Sequence, residues 1–149
     1  MKTIFTLLIL SLLSISSFGQ ITLDYSNFDF ASLNGWNFVN GTQTNKWHIG
    51  GAESYLDASS RIGVYISSDD GTTNSYQNNS SSVVHMYKDF LVSTVVNDMS
   101  LTFKLKCFGE LNKDKFTAYV LPTTITPEAG VGLDPQYKIG YDEYSNTDY

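Results

Sequence analysis

The stretch Ser100–Pro122, SLTFKLKCFGELNKDKFTAYVLP, decides the predicted fold. In the first half of this stretch every second side chain is apolar and the ones between are polar. The apolar side chains are Leu101, Phe103, Leu105 and Cys107. Successive side chains of a β-strand point to opposite faces, so this alternation predicts a strand with one apolar face. A second alternating run, Phe116–Leu121, follows a polar link and predicts an antiparallel hairpin. Because a lone hairpin is marginal in water, we expect a second sheet over the apolar face, and so an all-β, antiparallel β-sandwich.

Further strands and turns are predicted along the chain. Short apolar stretches predict strands at 21–30, 36–39, 46–50, 62–67, 83–96 and 136–141. Asn34-Gly35 and Asn40-Gly41 predict tight turns, because both residue types tolerate a positive φ. Seven or eight short strands indicate a sandwich or a jelly roll. The last strand is weak and leaves an unpaired edge, so we expect the chain to lack its last strands and to belong to a longer protein.

The first 19 residues have the pattern of a secretory signal peptide. Lys2 precedes an apolar run, Ile4–Leu13, and Ser17-Phe18-Gly19 provides a small-residue cleavage pattern. The apolar run is shorter than the roughly 20 residues that a membrane-spanning helix needs. We therefore predict a signal peptide at 1–19 and a single mature domain at 20–149. That domain is expected outside the cell or on its outer surface, without insertion into the membrane.

Charge and cysteine content restrict the partners and the covalent structure. The net charge is −6 and the acidic residues are scattered, which argues against nucleic acid or an anionic membrane as a partner. Cys107 is the single cysteine, so no internal disulfide can form. Its place in the apolar row predicts a small residue of the core.

No motif in the sequence indicates catalysis. His48 and His85 are far apart and have no zinc-site spacing. A G-x-S-x-G nucleophile turn does not occur. Many carboxylate pairs can be nominated for a glycosidase, but no spacing singles one out. We therefore predict a non-catalytic protein.

Two groups of acidic residues are candidates for a calcium site. Asp69 and Asp70 lie in a polar loop with hydroxyl and amide side chains, and such oxygen atoms are the ligands of Ca²⁺. The loop lacks the EF-hand register, and the alternative is a solvated turn that uses Asp and Gly for backbone reasons. Asp29 lies between two phenylalanines, where a cation would neutralise a carboxylate close to the core.

Aromatic side chains make up 14% of the chain and are the candidates for ligand binding. Sugar C–H faces stack on aromatic rings and sugar hydroxyls bond to nearby Asn and Asp, so glycan binding fits this composition. The candidates are Trp36, Trp47, Tyr55 and Tyr76. The alternative for the two tryptophans is that they fill the core of the sandwich.

The order of several motifs carries a family resemblance. They are Phe28-Asp29-Phe30, Gly35-Trp36, 45–50 (NKWHIG), 63–67 (GVYIS), Asp70-Gly71, Tyr76, 101–104, Gly109-Glu110, Asp114 and 116–122. In this order they resemble the choice-of-anchor J, or cleaved-adhesin-like, jelly-roll domain of bacterial secreted surface proteins, which is related in shape to MAM domains.

The resemblance implies a secreted or cell-surface module that binds glycan or protein, often with a structural Ca²⁺. The early acidic residue of the family corresponds to Asp29 in this chain. The alternative is an ancillary domain of an exported peptidase or glycoside hydrolase whose catalytic part lies outside this chain.

Overall fold

The computed structural model describes residues 22–28, 31–51, 62–94, 96, 98–107, 109–110, 113–144 and 147–148, the last six of these residues by their backbone only. Within these ranges the regular elements are eight short β-strands and one 3₁₀ helix. The strands are β1 (Asn37–Val39), β2 (Lys46–Gly50), β3 (Gly63–Ser67), β4 (His85–Tyr87), β5 (Lys106–Cys107), β6 (Phe116–Tyr119), β7 (Lys138–Tyr144) and β8 (Thr147–Asp148). The 3₁₀ helix, Pro135–Tyr137, immediately precedes β7.

The strands form four antiparallel pairs, which are β1 with β4, β2 with β3, β5 with β8, and β6 with β7. The pair β2–β3 is in continuous register from Lys46 opposite Ser67 to Gly50 opposite Gly63. The pair β6–β7 contains an irregularity between Phe116 and Ala118. Within the described residues the all-β, antiparallel class predicted from the sequence is therefore confirmed, while the packing of two sheets into a sandwich stays a prediction.

The local predictions with the strongest sequence signals are confirmed. Strand β2 has the predicted bounds, and β1 and β3 each begin one residue later than predicted. Both Asn-Gly dipeptides form turns, with φ of 48° at Asn34 and 84° at Gly35 in the first. Gly41 has a φ of 52° in the second, where an added Cβ would lie 2.8 Å from the Cβ of Ala129. Glycine is thus required there by both conformation and space.

The hairpin predicted at the centre of the chain is wrong in its pairing. Strand β5 covers only Lys106–Cys107 and pairs with β8, while β6 pairs with β7. The side chains of Leu101 and Phe103 are 56% and 40% exposed, so the expected inward apolar row is not buried. Cys107 is half-buried rather than part of a core. Alternation predicts the two faces of a strand but does not identify its partner, and here the partners lie further along the chain.

Three other predicted strands are corrected in extent. Residues 22–28 of the expected entry strand contain no strand. Among the described residues of the long stretch 83–96, which are 83–94 and 96, only His85–Tyr87 forms a strand. The last predicted strand begins at Lys138, because the 3₁₀ helix occupies the two residues before it.

Strands β2 and β3 present two different faces. Trp47 and Ile49 lie opposite Ile66 and Val64 on one face, and His48 lies opposite Tyr65 on the other. The His48 and Tyr65 rings stack with their centroids 6.4 Å apart. The alternation of side chains along β2 therefore separates Trp47 from His48.

Asparagine side chains hold the start of β2 in place. The Asn40 Nδ2 atom donates to the main-chain oxygen of Trp47 at 2.9 Å, and its Oδ1 atom accepts from the Trp47 main-chain nitrogen at 2.8 Å. The Asn45 Nδ2 atom donates to the main-chain oxygens of Gln77 and Ser80, and its Oδ1 atom accepts from the Gln77 nitrogen. These bonds give side-chain partners to main-chain groups of Trp47, Gln77 and Ser80.

Burial among the described residues is concentrated on polar positions. Ser67 is fully buried, Asn45 is 7% exposed and Pro127 is also buried, whereas no larger apolar side chain of the described residues is buried. The exposed large apolar side chains are Leu23, Tyr25, Phe90, Leu91, Val96, Met99, Leu101, Phe103, Val120 and Val131. In the described part of the chain, side-chain-to-backbone hydrogen bonds therefore hold the loops more than apolar packing does.

Candidate ligand-binding surface

Trp36 lies at the entry to β1, immediately after the Asn34-Gly35 turn. The turn closes with a hydrogen bond from the Trp36 main-chain nitrogen to the oxygen of Leu33 at 2.8 Å. The half-buried indole ring meets the ring of Phe90 edge-on, with the centroids 6.5 Å apart and the planes at 79°. This is a favourable geometry for aromatic rings, because the positive edge of one faces the negative face of the other.

The N-terminal segment 22–28 is attached to this pair of rings by polar contacts. The Trp36 Nε1 atom donates to the Ser26 Oγ atom at 3.2 Å. The Lys88 Nζ atom forms an ion pair with the Asp24 Oδ1 atom at 2.7 Å and also lies 5.8 Å from the centre of the Phe90 ring. We call Asp24, Ser26, Trp36, Lys88 and Phe90 the Trp36 cluster.

The two charged side chains of the Trp36 cluster, Asp24 and Lys88, neutralise each other in an ion pair. The hydrogen bond from Lys88 lowers the pKa of Asp24, with a smaller contribution from the Ser26 hydroxyl. The Lys88 and Asp24 side chains are 16% and 27% exposed, so water screens their ion pair only in part. Lys88 also donates to the main-chain oxygen of Asn34. The cluster therefore combines aromatic rings with a paired charge and hydroxyl and carbonyl groups.

Exposed apolar side chains border the Trp36 cluster along the sequence. Tyr25, between Asp24 and Ser26, is 80% exposed, and Leu91, directly after Phe90, is 97% exposed. Phe90 itself is 42% exposed. An exposed aromatic surface beside hydrogen-bonding groups can stack a sugar ring or pack against a protein side chain.

Trp47 is the second tryptophan nominated from the sequence. It lies on β2, which pairs with β3, whereas the Trp36 cluster lies next to the pair of β1 and β4. It is half-buried on the face shared with Ile49. Its Nε1 atom is buried and has no hydrogen-bond partner among the described residues, and the same is true of the His48 Nε2 atom. Buried polar atoms usually have partners, so both mark positions where the described part of the structure leaves a polar group unsatisfied.

Tyr76 connects two loops. Its hydroxyl donates to the Asp114 Oδ2 atom at 3.1 Å, and the same carboxylate oxygen accepts from the Glu110 main-chain nitrogen. Partial burial, followed by the hydrogen bond to Asp114, raises the pKa of Tyr76 to about 12. The structure places this residue as a bridge between loops and does not bring it to the Trp36 cluster. Tyr55 lies outside the described residues.

The Asp69 loop is organised by hydrogen bonds to its own carboxylate. Asp69 accepts from the Ser67 hydroxyl at 2.6 Å and from the Thr73 nitrogen and hydroxyl at 3.0 and 2.8 Å. The Ser67 bond, followed by those from Thr73, lowers the pKa of Asp69 to about 2. Asp70 is exposed with a φ of 56°, which fits a turn position.

The calcium prediction stays a prediction. Asp29 lies outside the described residues. Across the described ranges, no group of three or more His, Cys, Asp or Glu side chains is placed to hold a metal ion. At Asp69 a cation would have to replace donors that the loop already supplies.

The sequence predicted Trp36 as a candidate but missed the residues that surround it. Asp24 and Lys88 are 64 positions apart, and no local pattern links an acid to a base at that separation. Phe90 lies in the stretch 83–96, which the sequence predicted as a strand, but it follows the observed strand β4. The sequence Lys88-Asp89-Phe90, which places a cation next to an aromatic side chain, was the one available signal.

Comparisons with protein-family models, with curated proteins and with solved structures found no match. None of the helical segments in the described ranges is long and apolar enough to cross a membrane.

Proposed function

We propose that this chain is a secreted or cell-surface binding module that recognises a glycan or a protein and catalyses no reaction. In this proposal its strand pairs belong to a β-sandwich of the jelly-roll type, similar to the choice-of-anchor J domains. The N-terminal signal-peptide pattern supports export, and the antiparallel all-β structure is compatible with the fold.

The observation that carries the proposal is the exposed aromatic surface around Trp36. Tyr25 and Phe90 expose 80% and 42% of their surface, although exposing the large apolar surface of an aromatic ring to water costs free energy. The ion pair of Asp24 with Lys88 holds the segment that contains Tyr25 next to the Trp36 ring. Aromatic anchors surrounded by polar groups are typical of binding sites in which a few residues supply most of the affinity.

Two carboxyl groups have pKa values shifted in the direction that fits a structural role. The pKa of Asp24 and that of Asp69 are both lowered, so both side chains remain ionised at neutral pH. A general acid or base works best with a pKa near the operating pH, which requires a shift in the opposite direction for a carboxyl group. These two acids therefore fit structural ion pairing and turn formation.

The test is a binding screen followed by a matched set of variants. The labelled protein is applied to a glycan array and, in a parallel arm, to immobilised extracellular matrix proteins. The affinity for the glycan or protein found in the screen is then measured for Tyr25→Ala and Phe90→Ala. Leu101→Ala, a residue of similar exposure outside the cluster, is the control.

We expect each aromatic variant to lose about tenfold in affinity, which corresponds to about 1.4 kcal/mol, and Leu101→Ala to bind as the parent protein does. Equal binding by all four proteins would show that another surface is responsible. No binding in either arm would contradict the proposed function.

A further inference from the structure

The two Asn-Gly turns have the same dipeptide but different surroundings. Asn34 and Gly35 are both exposed, and the Asn34 side chain accepts one hydrogen bond, from the exposed Ser32 hydroxyl at 3.1 Å. Asn40 is half-buried, and both ends of its side-chain amide bond to the main chain of Trp47. The Asn34 amide is therefore open to water, while the Asn40 amide is held by hydrogen bonds at both ends.

An Asn-Gly dipeptide can undergo a reaction that needs only water. The main-chain nitrogen of the glycine attacks Cγ of the asparagine and loses its proton, and the side-chain nitrogen leaves as ammonia. The resulting five-membered succinimide takes up one water and opens to aspartate or to isoaspartate. Glycine favours this reaction because it lacks a Cβ that would hinder the approach, and asparagine is accordingly one of the heat-labile residues.

We propose that Asn34 is a site of spontaneous deamidation and isomerisation, and that Asn40 is protected from the same reaction by its contacts with Trp47. The Asn34 amide needs to give up only an exposed bond to Ser32 before the Gly35 nitrogen can reach Cγ. The Asn40 amide must first break two part-buried bonds of 2.9 and 2.8 Å.

The two bonds of Asn40 set the expected size of the difference. We expect them to slow the reaction at Asn40 about thirty-fold relative to Asn34, which corresponds to about 2 kcal/mol in the barrier. The comparison is internal to one chain, so pH, temperature and buffer affect both sites equally.

The modification also changes the surroundings of Lys88. The Lys88 Nζ atom donates to the main-chain oxygen of Asn34, and an isoaspartate inserts an extra methylene into the main chain at that turn. Either product adds a negative charge to the residue whose main-chain oxygen binds Lys88, and Lys88 already pairs with Asp24. Modified chains are therefore expected to hold the segment 22–28 less firmly on the Trp36 ring.

The experiment is a timed incubation of the folded protein at mildly alkaline pH, followed by peptide mapping with mass spectrometry. Conversion is read from the mass gained when an amide becomes a carboxyl group, and isoaspartate is detected by enzymatic methylation. A second sample is incubated in urea, where the surroundings of both dipeptides are removed.

We expect conversion about thirty-fold faster at Asn34 than at Asn40 in the folded protein, and similar rates at the two sites in urea. Similar rates in the folded protein, faster conversion at Asn40, or no conversion at Asn34 over a period in which the urea sample reacts would each overturn the proposal. A thirty-fold difference that persists in urea would assign it to the local sequence and would also overturn it.

Discussion

Replacing Asn45 tests whether buried polar side chains hold the loop 77–82 against β2. Asn45 is 7% exposed and its amide makes three hydrogen bonds, two to main-chain oxygens of Gln77 and Ser80 and one from the Gln77 nitrogen. Asn45→Ala removes all three, so the Ser80 oxygen and the Gln77 nitrogen lose their bonds to the amide, while the Gln77 oxygen keeps its bond from the Ser80 nitrogen at 3.4 Å. At about 1 kcal/mol for each bond the loss would be about 3 kcal/mol, and hydration of the exposed Gln77 reduces it to about 2 kcal/mol.

A second variant separates the hydrogen bonds from the volume of the side chain. Asn45→Asp keeps the shape but places a carboxylate oxygen against the oxygens of Gln77 and Ser80, so it should destabilise at least as much as Asn45→Ala. Asn79→Ala, an exposed asparagine of the same loop, is the control and should change stability by less than about 0.5 kcal/mol.

The assay for this series is urea unfolding followed by fluorescence, with the free energy of unfolding obtained by linear extrapolation. The Asn45 variants should shift the midpoint without a change in slope. A shift for Asn45→Ala no larger than that for Asn79→Ala would refute the reasoning, because the amide network would then contribute nothing to stability.

Three further predictions concern titration and calcium. The folded-state pKa of Asp69 is about 2 against an ordinary 3.8, so its contribution to stability is complete above pH 3.8 and is lost as the pH falls towards 2. The stability of Asp69→Asn should lack this dependence on pH. Identical acid-unfolding profiles of the variant and the parent protein would contradict the prediction. The pKa of Tyr76 is about 12 against 10.0, so its contribution is complete below pH 10 and is lost as the pH rises through 12. An ultraviolet titration of Tyr76→Phe should lack one tyrosine that ionises near pH 12 in the parent protein, and equal titration curves near that pH would contradict this. The calcium site predicted from the sequence requires the melting temperature to rise by several degrees on addition of Ca²⁺, and equal melting with Ca²⁺ and with a chelator would remove it.

Local sequence signals were enough to predict β2, β3 and the two Asn-Gly turns. Each depends on contacts within a few residues, or on an alternation that the strand itself imposes. The pairing of β5 with β8 and of β6 with β7 was not predicted, because alternation in 101–107 fits any partner with a complementary face. The polar loop after β3 was predicted as a turn or a calcium site, and its hydrogen bonds support the turn.

Of the residues in the candidate site, only Trp36 was predicted from the sequence. The aromatic content and the position of Trp36 after a turn led to its nomination. Its surroundings depend on the ion pair between Asp24 and Lys88, which forms only when the N-terminal segment lies next to the residues that follow β4. Contacts between distant parts of a chain leave no mark in a single sequence.

The most direct test of the binding proposal is the affinity of the double variant Tyr25→Ala/Phe90→Ala for the glycan or protein found in the screen, measured beside Leu101→Ala. Both variants should keep the circular dichroism of the parent protein, since all three side chains are at least 40% exposed. The proposal predicts that the double variant loses binding by about a hundredfold, if the two effects add, while Leu101→Ala binds normally. Unchanged affinity in a folded double variant would contradict recognition through the exposed aromatic surface around Trp36.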